Sequence, residues 1–132
     1  MVRPANKQIY FLPDVVMTCH PDDLDPQSYE INHPTLIVEV LSESTELHDR
    51  VKKWEQYRSL KSLRHFLLVS QQRYQVEIYS RSHEHALFYY QCFNNLEDSI
   101  SFPDLGFDLP MREVYSGLEI VEPPFNPLDY PR

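Results

Sequence analysis

The segment from Thr35 to Leu41 constrains the fold more than any other part of the chain. Beyond Thr35 it is apolar on both faces of an extended strand, and Glu39 is its one charged residue. A strand with two apolar faces must be covered on both sides, and 132 residues are enough to do so around one core. The segment therefore predicts a buried strand of an α/β domain that carries a carboxylate.

Flanking segments supply the partners of this strand. Residues 14–19 predict a strand that starts after Pro13, and the Pro- and Asp-rich stretch 20–34 predicts a surface loop. Residues 45–60 predict a helix packed on the sheet, because Leu47, Val51 and Trp54 recur with helical period. The remaining predicted elements are an antiparallel hairpin over 63–70 and 74–80, strands over 86–93 and 99–102, and a short helix over 110–115. We expect a single domain over 1–120 and a Pro-rich tail over 121–132.

Composition excludes several functions. The chain has two glycines and eleven prolines, so the glycine-rich dinucleotide and phosphate loops and the nucleophile elbow of hydrolases cannot be built. Twenty acidic against twelve basic residues give a net charge of −8, so any nucleic-acid site must be local. Apolar runs are far shorter than the ~20 residues that span a bilayer. We expect a cytoplasmic protein without membrane contact.

Asp14 and Glu39 are the first candidate site. If strands 14–19 and 35–41 pair antiparallel, the start of one lies beside the end of the other and the two carboxylates converge. Adjacent carboxylates repel unless a cation or proton lies between them, and oxygen ligands of this kind suit Mg²⁺. The alternative is that Asp14 caps a turn after Pro13 and that Glu39 pairs with a Lys or Arg.

The predicted helix carries the second candidate site. Asp49, Lys53 and Tyr57 are spaced i, i+4, i+8 and form a row along one flank, which is also the pattern of an ordinary surface ion pair. Half of the chain's basic residues lie in this region, namely Arg50, Lys52, Lys53, Arg58, Lys61 and Arg64. Such a cationic face could attract a phosphate backbone, or it could be a solvated helix surface.

Two histidines form a third candidate. His83 and His85 are spaced so that an extended chain could aim both rings at one metal ion, yet they lie in a predicted turn without a third ligand at suitable spacing. A solvated polar turn is the competing interpretation. The two cysteines, Cys19 and Cys92, are expected to be small buried hydrophobic residues.

The ordered set of motifs resembles the Uma-two family of bacterial endonucleases over roughly residues 10–117. The motifs that carry this resemblance are Pro13-Asp14-Val15-Val16, Pro34-Thr35-Leu36-Ile37-Val38-Glu39-Val40-Leu41-Ser42, Ser44-Thr45, and Asp49-Arg50-x-x-Lys53-x-x-x-Tyr57. The resemblance implies the restriction-endonuclease-like α/β fold of the PD-(D/E)XK superfamily. In this chain it implies a mixed sheet with the helix over about 45–60 packed on it and an added β-hairpin.

The resemblance also implies a function, namely Mg²⁺- or Mn²⁺-dependent hydrolysis of DNA phosphodiester bonds. It makes Asp14 and Glu39 the metal ligands, and Lys53 the catalytic lysine because Leu41 occupies the usual lysine position. It makes Asp49 and Tyr57 supporting residues. Together with the cationic face, it makes Arg50, Lys52 and Arg58 the expected nucleic-acid contacts.

One departure from the family pattern matters. Family members carry a helix and strands before the Pro-Asp segment, so this chain is expected to be a shortened member with impaired activity. The alternative function is a non-catalytic oligomeric binding or regulatory module of the same fold. An uncovered sheet edge and seventeen aromatic residues predict a homo-oligomer, most simply a dimer.

Overall fold

The computed structural model describes residues 2, 12–28, 30–42 and 46–121, with only the backbone described for 46–49. Seven strands and two α-helices are seen within these ranges. They are β1 Val15–Thr18, β2 Pro34–Leu41, α1 Glu46–Tyr57, β3 His65–Ser70, β4 Val76–Ser80, β5 Tyr89–Phe93, β6 Ser99–Phe102, β7 Phe107–Pro110 and α2 Met111–Val114. A 3-10 turn, Pro21–Asp23, lies in the loop between β1 and β2. Most of the predicted tail over 121–132 lies outside the described residues, so the division into domain and tail stays a prediction.

The main sheet has five strands in the order β1-β2-β3-β4-β5. Strands β2 and β3 are parallel and joined through α1, whereas the other neighbouring pairs are antiparallel. Parallel neighbours require a crossover connection, and the helix supplies it. The mixed sheet, the helix on it and the β3–β4 hairpin confirm the fold predicted from the sequence.

The sheet is covered on both faces. Alternate residues of β2 and β3, such as Ile37 and Phe66, pack with Tyr57 and Leu60 beneath α1. The intervening residues, such as Leu36 and Leu67, pack on the other face against β6, α2 and their flanks. Because side chains alternate along a strand, a strand covered on two sides must be apolar at nearly every position, as β2 is.

The buried face of α1 agrees with the predicted one in part. Trp54 packs on the sheet as predicted and stacks on Tyr79 with ring centroids 4.3 Å apart. Val51 of the same stripe is 55% exposed, whereas Tyr57, which the stripe did not include, is fully buried. Leu47, the first residue of the predicted stripe, has no described side chain.

The prediction was wrong at Val51 because the neighbouring flank of the helix, with Arg50, Lys53 and Tyr57, faces the sheet and contacts its glutamates. Contacts with the sheet thus override the local apolar periodicity of the helix.

Two further details depart from the sequence analysis. Strand β7 was not predicted; it pairs with β6 across a turn in which Gly106 has a φ of 76°, a conformation that favours glycine. Cys19 and Cys92 are both exposed, because Cys19 lies just after an edge strand and Cys92 lies on β5 at the other side of the sheet. The short helix predicted over 110–115 is α2, Met111–Val114, and Pro110, which was expected as its first residue, is its N-cap instead.

Candidate metal-dependent active site

Strand pairing brings Asp14 next to Glu39. Val15 pairs with Val38 in the antiparallel β1–β2 ladder, so the next position along places Asp14 beside Glu39 on the same face. Asp14 Oδ2 accepts a hydrogen bond from the Val40 backbone N–H at 2.7 Å, and the Asp14 side chain stays exposed. Strand register therefore places Asp14 beside Glu39 near the end of β2. The hydrogen bond of Asp14 reaches the neighbouring strand and is not the turn cap after Pro13 of the alternative interpretation.

Glu39 is a buried carboxylate with two partners from α1. It is 1% exposed, and its Oε2 lies 3.0 Å from Lys53 Nζ. Its Oε1 accepts a hydrogen bond of 2.9 Å from the Tyr57 hydroxyl. An unpaired charge at this depth would be costly, and the ammonium and hydroxyl groups compensate for the lost water.

The electrostatics of Glu39 reflect both its burial and its neighbours. Burial raises the pKa of Glu39, the contacts with Lys53 and Tyr57 oppose that rise, and the negative charge of Asp14 adds to it. Burial and the nearby Glu39 also raise the pKa of Tyr57, so its hydroxyl remains a proton donor to the carboxylate. A positive charge placed between Asp14 and Glu39 would relieve their repulsion.

The donor set fits a divalent cation. Asp14 and Glu39 offer only carboxylate oxygens, and Mg²⁺ is commonly bound by one or two carboxylates together with waters. The two acids with Lys53 carry a net charge of −1, which a divalent cation can balance. Leu41, at the strand position where the superfamily keeps its lysine, is 6% exposed and packs in the core, whereas Lys53 reaches Glu39 from the helix.

A second acid–base cluster lies two strands away and was missed by the sequence analysis. Glu39 is in register with Leu68 on β3, and Leu68 is in register with Glu77 on β4. The two glutamate side chains therefore lie on the same face of the sheet. Glu77 is 5% exposed; it contacts the Arg50 guanidinium and accepts a hydrogen bond of 2.6 Å from the Tyr90 hydroxyl. A charged residue inside the apolar strand β4, like Glu39 in β2, was the available signal.

Of the residues predicted to contact nucleic acid, Arg50 forms an ion pair with the sheet and the other two are exposed. Arg50 points to Glu77, and 22% of its side chain is exposed. Lys52 on α1 and Arg58, which directly follows this helix, are exposed to solvent. Arg58 is 4.0 Å from Glu55. Asp49 lies in α1, but its side chain is outside the described part of the structure. The nucleic-acid and supporting roles of these residues stay predictions.

The histidine turn is open to solvent. His83 and His85 are exposed and their rings are 6.4 Å apart, with His85 beside Glu84. This arrangement agrees with the interpretation of a solvated polar turn.

Within the described residues, no helix is both long and apolar enough to cross a membrane.

Comparison with known proteins identifies the family. The family model described as "Putative restriction endonuclease", Uma2, matches residues 2–112. Uncharacterized protein slr1290 of Synechocystis sp. (strain ATCC 27184 / PCC 6803 / Kazusa) is 33% identical over 119 residues, which cover 89% of this chain and 60% of that protein. Uncharacterized protein sll1609 of the same organism is 36% identical over 78 residues, 58% of this chain and 44% of that protein. Because the family match covers most of the 132 residues, the chain belongs to the Uma2 family, and its mixed sheet is of the restriction-endonuclease-like α/β kind.

Proposed function

We propose that this chain is the metal-binding core of a DNA endonuclease that hydrolyses phosphodiester bonds with Mg²⁺ or Mn²⁺. The observation that carries the proposal is the buried Glu39 carboxylate, held by Lys53 at 3.0 Å and placed beside the exposed Asp14 at the end of β2. The family match supports a nuclease. The metal, the DNA substrate and the residue roles are our proposals, since the chain spans only part of its curated relatives.

Each side chain has a distinct role in this proposal. Asp14 and Glu39 hold the cation, which when bound activates a water molecule and stabilises charge on the phosphoryl oxygens. Tyr57 fixes one oxygen of Glu39 by hydrogen bonding. Lys53 fixes the other oxygen and places an ammonium group next to the attacking water. The exposed Lys52 and Arg58 attract the DNA backbone to an otherwise acidic protein.

Metal-dependent cleavage of supercoiled plasmid tests the proposal. The wild-type chain is incubated with Mg²⁺, with Mn²⁺ or with EDTA, and is compared with Asp14→Asn, which removes a charge at an exposed position without changing the shape of the side chain. Asp108→Asn, at an exposed position of β7, is the matched control. We expect nicking with metal only, lost in Asp14→Asn and retained in Asp108→Asn. Equal cleavage by all three proteins would contradict the proposal.

One observation favours the alternative of a non-catalytic binding or regulatory module. Both oxygens of Glu39 already have partners within the chain, so the buried charge is compensated without any cation. Isothermal titration with Mn²⁺ separates the two functions. Binding that is lost in Asp14→Asn supports the metal site even if the chain cleaves slowly, whereas the absence of any Mn²⁺ binding supports the module.

A further inference from the structure

A second group of metal-ligating side chains lies in the loop between β1 and β2. His20, Asp22 and His33 each place one ligand atom within 4.8 Å of the other two. Thr18 pairs with Pro34 at this end of the β1–β2 ladder, whereas Asp14 and Glu39 lie at the opposite end. With strands rising ~3.3 Å per residue, this group is separate from the candidate active site.

The three side chains are held close by local contacts. The rings of His20 and His33 stack with centroids 3.8 Å apart and planes 15° from parallel. His20 Nδ1 accepts a hydrogen bond from the Asp22 backbone N–H at 3.1 Å and lies 3.7 Å from Asp22 Oδ2. These contacts place two imidazoles and a carboxylate side by side at the protein surface.

The buried side of the His33 ring lies against the Asp23 carboxylate. Among the described residues, His33 Nδ1 is buried and has no hydrogen-bond partner. The nearest acidic atom is Asp23 Oδ1, 3.5 Å away, which is too far for a strong hydrogen bond. Metal-binding histidines commonly direct one ring nitrogen to the ion and the other to a carboxylate, which orients the ring.

Hydrogen bonds to the Asp23 carboxylate hold this loop in place. The Asp23 side chain is 1% exposed and accepts hydrogen bonds from Thr18 Oγ1 at 2.7 Å and from the backbone N–H groups of Asn32 and His33 at 2.9 Å each. These contacts tie both ends of the loop to β1. The backbone that carries His33 is therefore preorganised, and replacing the His33 side chain leaves its backbone hydrogen bond to Asp23 intact.

We propose that His20, Asp22 and His33 bind a Zn²⁺ ion that pins the β1–β2 loop. Two imidazoles and one carboxylate form a donor set that favours Zn²⁺ over Mg²⁺. With three protein ligands, the fourth position of a tetrahedral Zn²⁺ is left for water. Zinc ligands lie about 2.0–2.2 Å from the ion, so the three ligand atoms close by roughly 1–2 Å on binding. One stacked ring must also tilt, because an ion cannot lie in the planes of two parallel rings. We expect His20 to be that ring, since His33 Nδ1 lies against the buried Asp23 carboxylate.

Zinc titration with matched histidine variants tests this site. The probe is ZnCl₂, added to the wild-type chain, to His20→Ala, to His33→Ala, and to the double variant His83→Ala/His85→Ala as control. Binding is followed by calorimetry and by the rise in melting temperature, because an ion that binds the folded state raises it. We expect one tight Zn²⁺ site at the loop, whose Kd is at least about tenfold weaker in each loop variant and unchanged in the control.

Two results would overturn the proposal. One is equal Zn²⁺ affinity in the wild type and in both loop variants, and the other is loss of binding in the His83/His85 control. The Asp14→Asn variant keeps this test independent of the nuclease proposal, since it should retain zinc binding at the loop. In a Co²⁺-loaded sample, visible absorption bands that disappear in His33→Ala would place the ion at these ligands.

Discussion

The ammonium of Lys53 and the carboxylate of Glu39 form an ion pair of 3.0 Å between α1 and β2, with the carboxylate buried and the lysine side chain 32% exposed. The lysine arrives from a helix rather than from the strand itself. The position two residues after Glu39 is therefore free to hold Leu41, which packs into the core. The ion pair thus links the candidate chemistry to the packing of α1 on the sheet.

Removing this ammonium should destabilise the fold. In Lys53→Met the Glu39 carboxylate keeps Tyr57 but loses its charged partner, and an incompletely compensated buried charge costs about 1–3 kcal/mol. The free energy of unfolding from urea titration at neutral pH measures the loss. Lys52→Met, at the exposed neighbouring position, should change stability by less than about 0.5 kcal/mol. Similar losses in the two variants would show that Lys53 does not stabilise Glu39.

The Arg50–Glu77 pair should show strong coupling. Arg50→Met leaves Glu77 buried with the Tyr90 hydroxyl as its remaining partner among the described side chains, and breaking a buried pair from one side costs about 3–5 kcal/mol. Replacing both members, as in Arg50→Met/Glu77→Leu, should recover most of that loss because no buried charge remains. A double-mutant cycle of unfolding free energies measures the coupling. Additive effects of the two substitutions would contradict a coupled pair.

Alkylation of Cys92 should report on Glu77. Cys92 is an exposed residue, but partial desolvation of its thiol raises the thiol pKa. The Tyr90 hydrogen bond lowers that pKa, the charge of Glu77 raises it, and Arg50 lowers it. A raised pKa means less thiolate at a given pH, so Cys92 in a Cys19→Ser background should react with iodoacetamide more slowly than a model thiol at pH 8. Glu77→Gln removes the negative charge and leaves Arg50, so the rate should rise. An unchanged rate in Glu77→Gln would contradict this electrostatic coupling.

Self-association through β5 is the expected state of the chain. Tyr89 and Tyr90 are 56% and 50% exposed on this strand, and β5 pairs only with β4 among the described strands. Exposed strand edges and apolar patches favour pairing with a second copy. Sedimentation equilibrium at low micromolar concentration should show a dimer, which Tyr89→Lys weakens and the exposed helix control Val51→Lys leaves intact. A wild-type monomer would refute this expectation.

The candidate site was predictable to the extent that its residues stand out locally. Glu39 interrupts an otherwise apolar strand, and Asp14 follows a proline at the start of the strand that pairs with it. Lys53 was assigned through the resemblance to the family, because its spacing alone is equally typical of a surface ion pair. Glu77 was not assigned, since its partners Arg50 and Tyr90 come from elements far away in the sequence.

The sequence by itself determined the type and order of most elements. Apolar positions on both faces predicted that β2 is buried, and the polar connection after residues 63–70 predicted the β3–β4 hairpin, because local side-chain period and turn chemistry act over a few residues. Only the tertiary structure decided which face of α1 is buried, that Arg50 meets Glu77, and that His20 stacks on His33. These contacts depend on strand register and on the position of the helix over the sheet, and the free energy that selects them comes from partners distant in the chain.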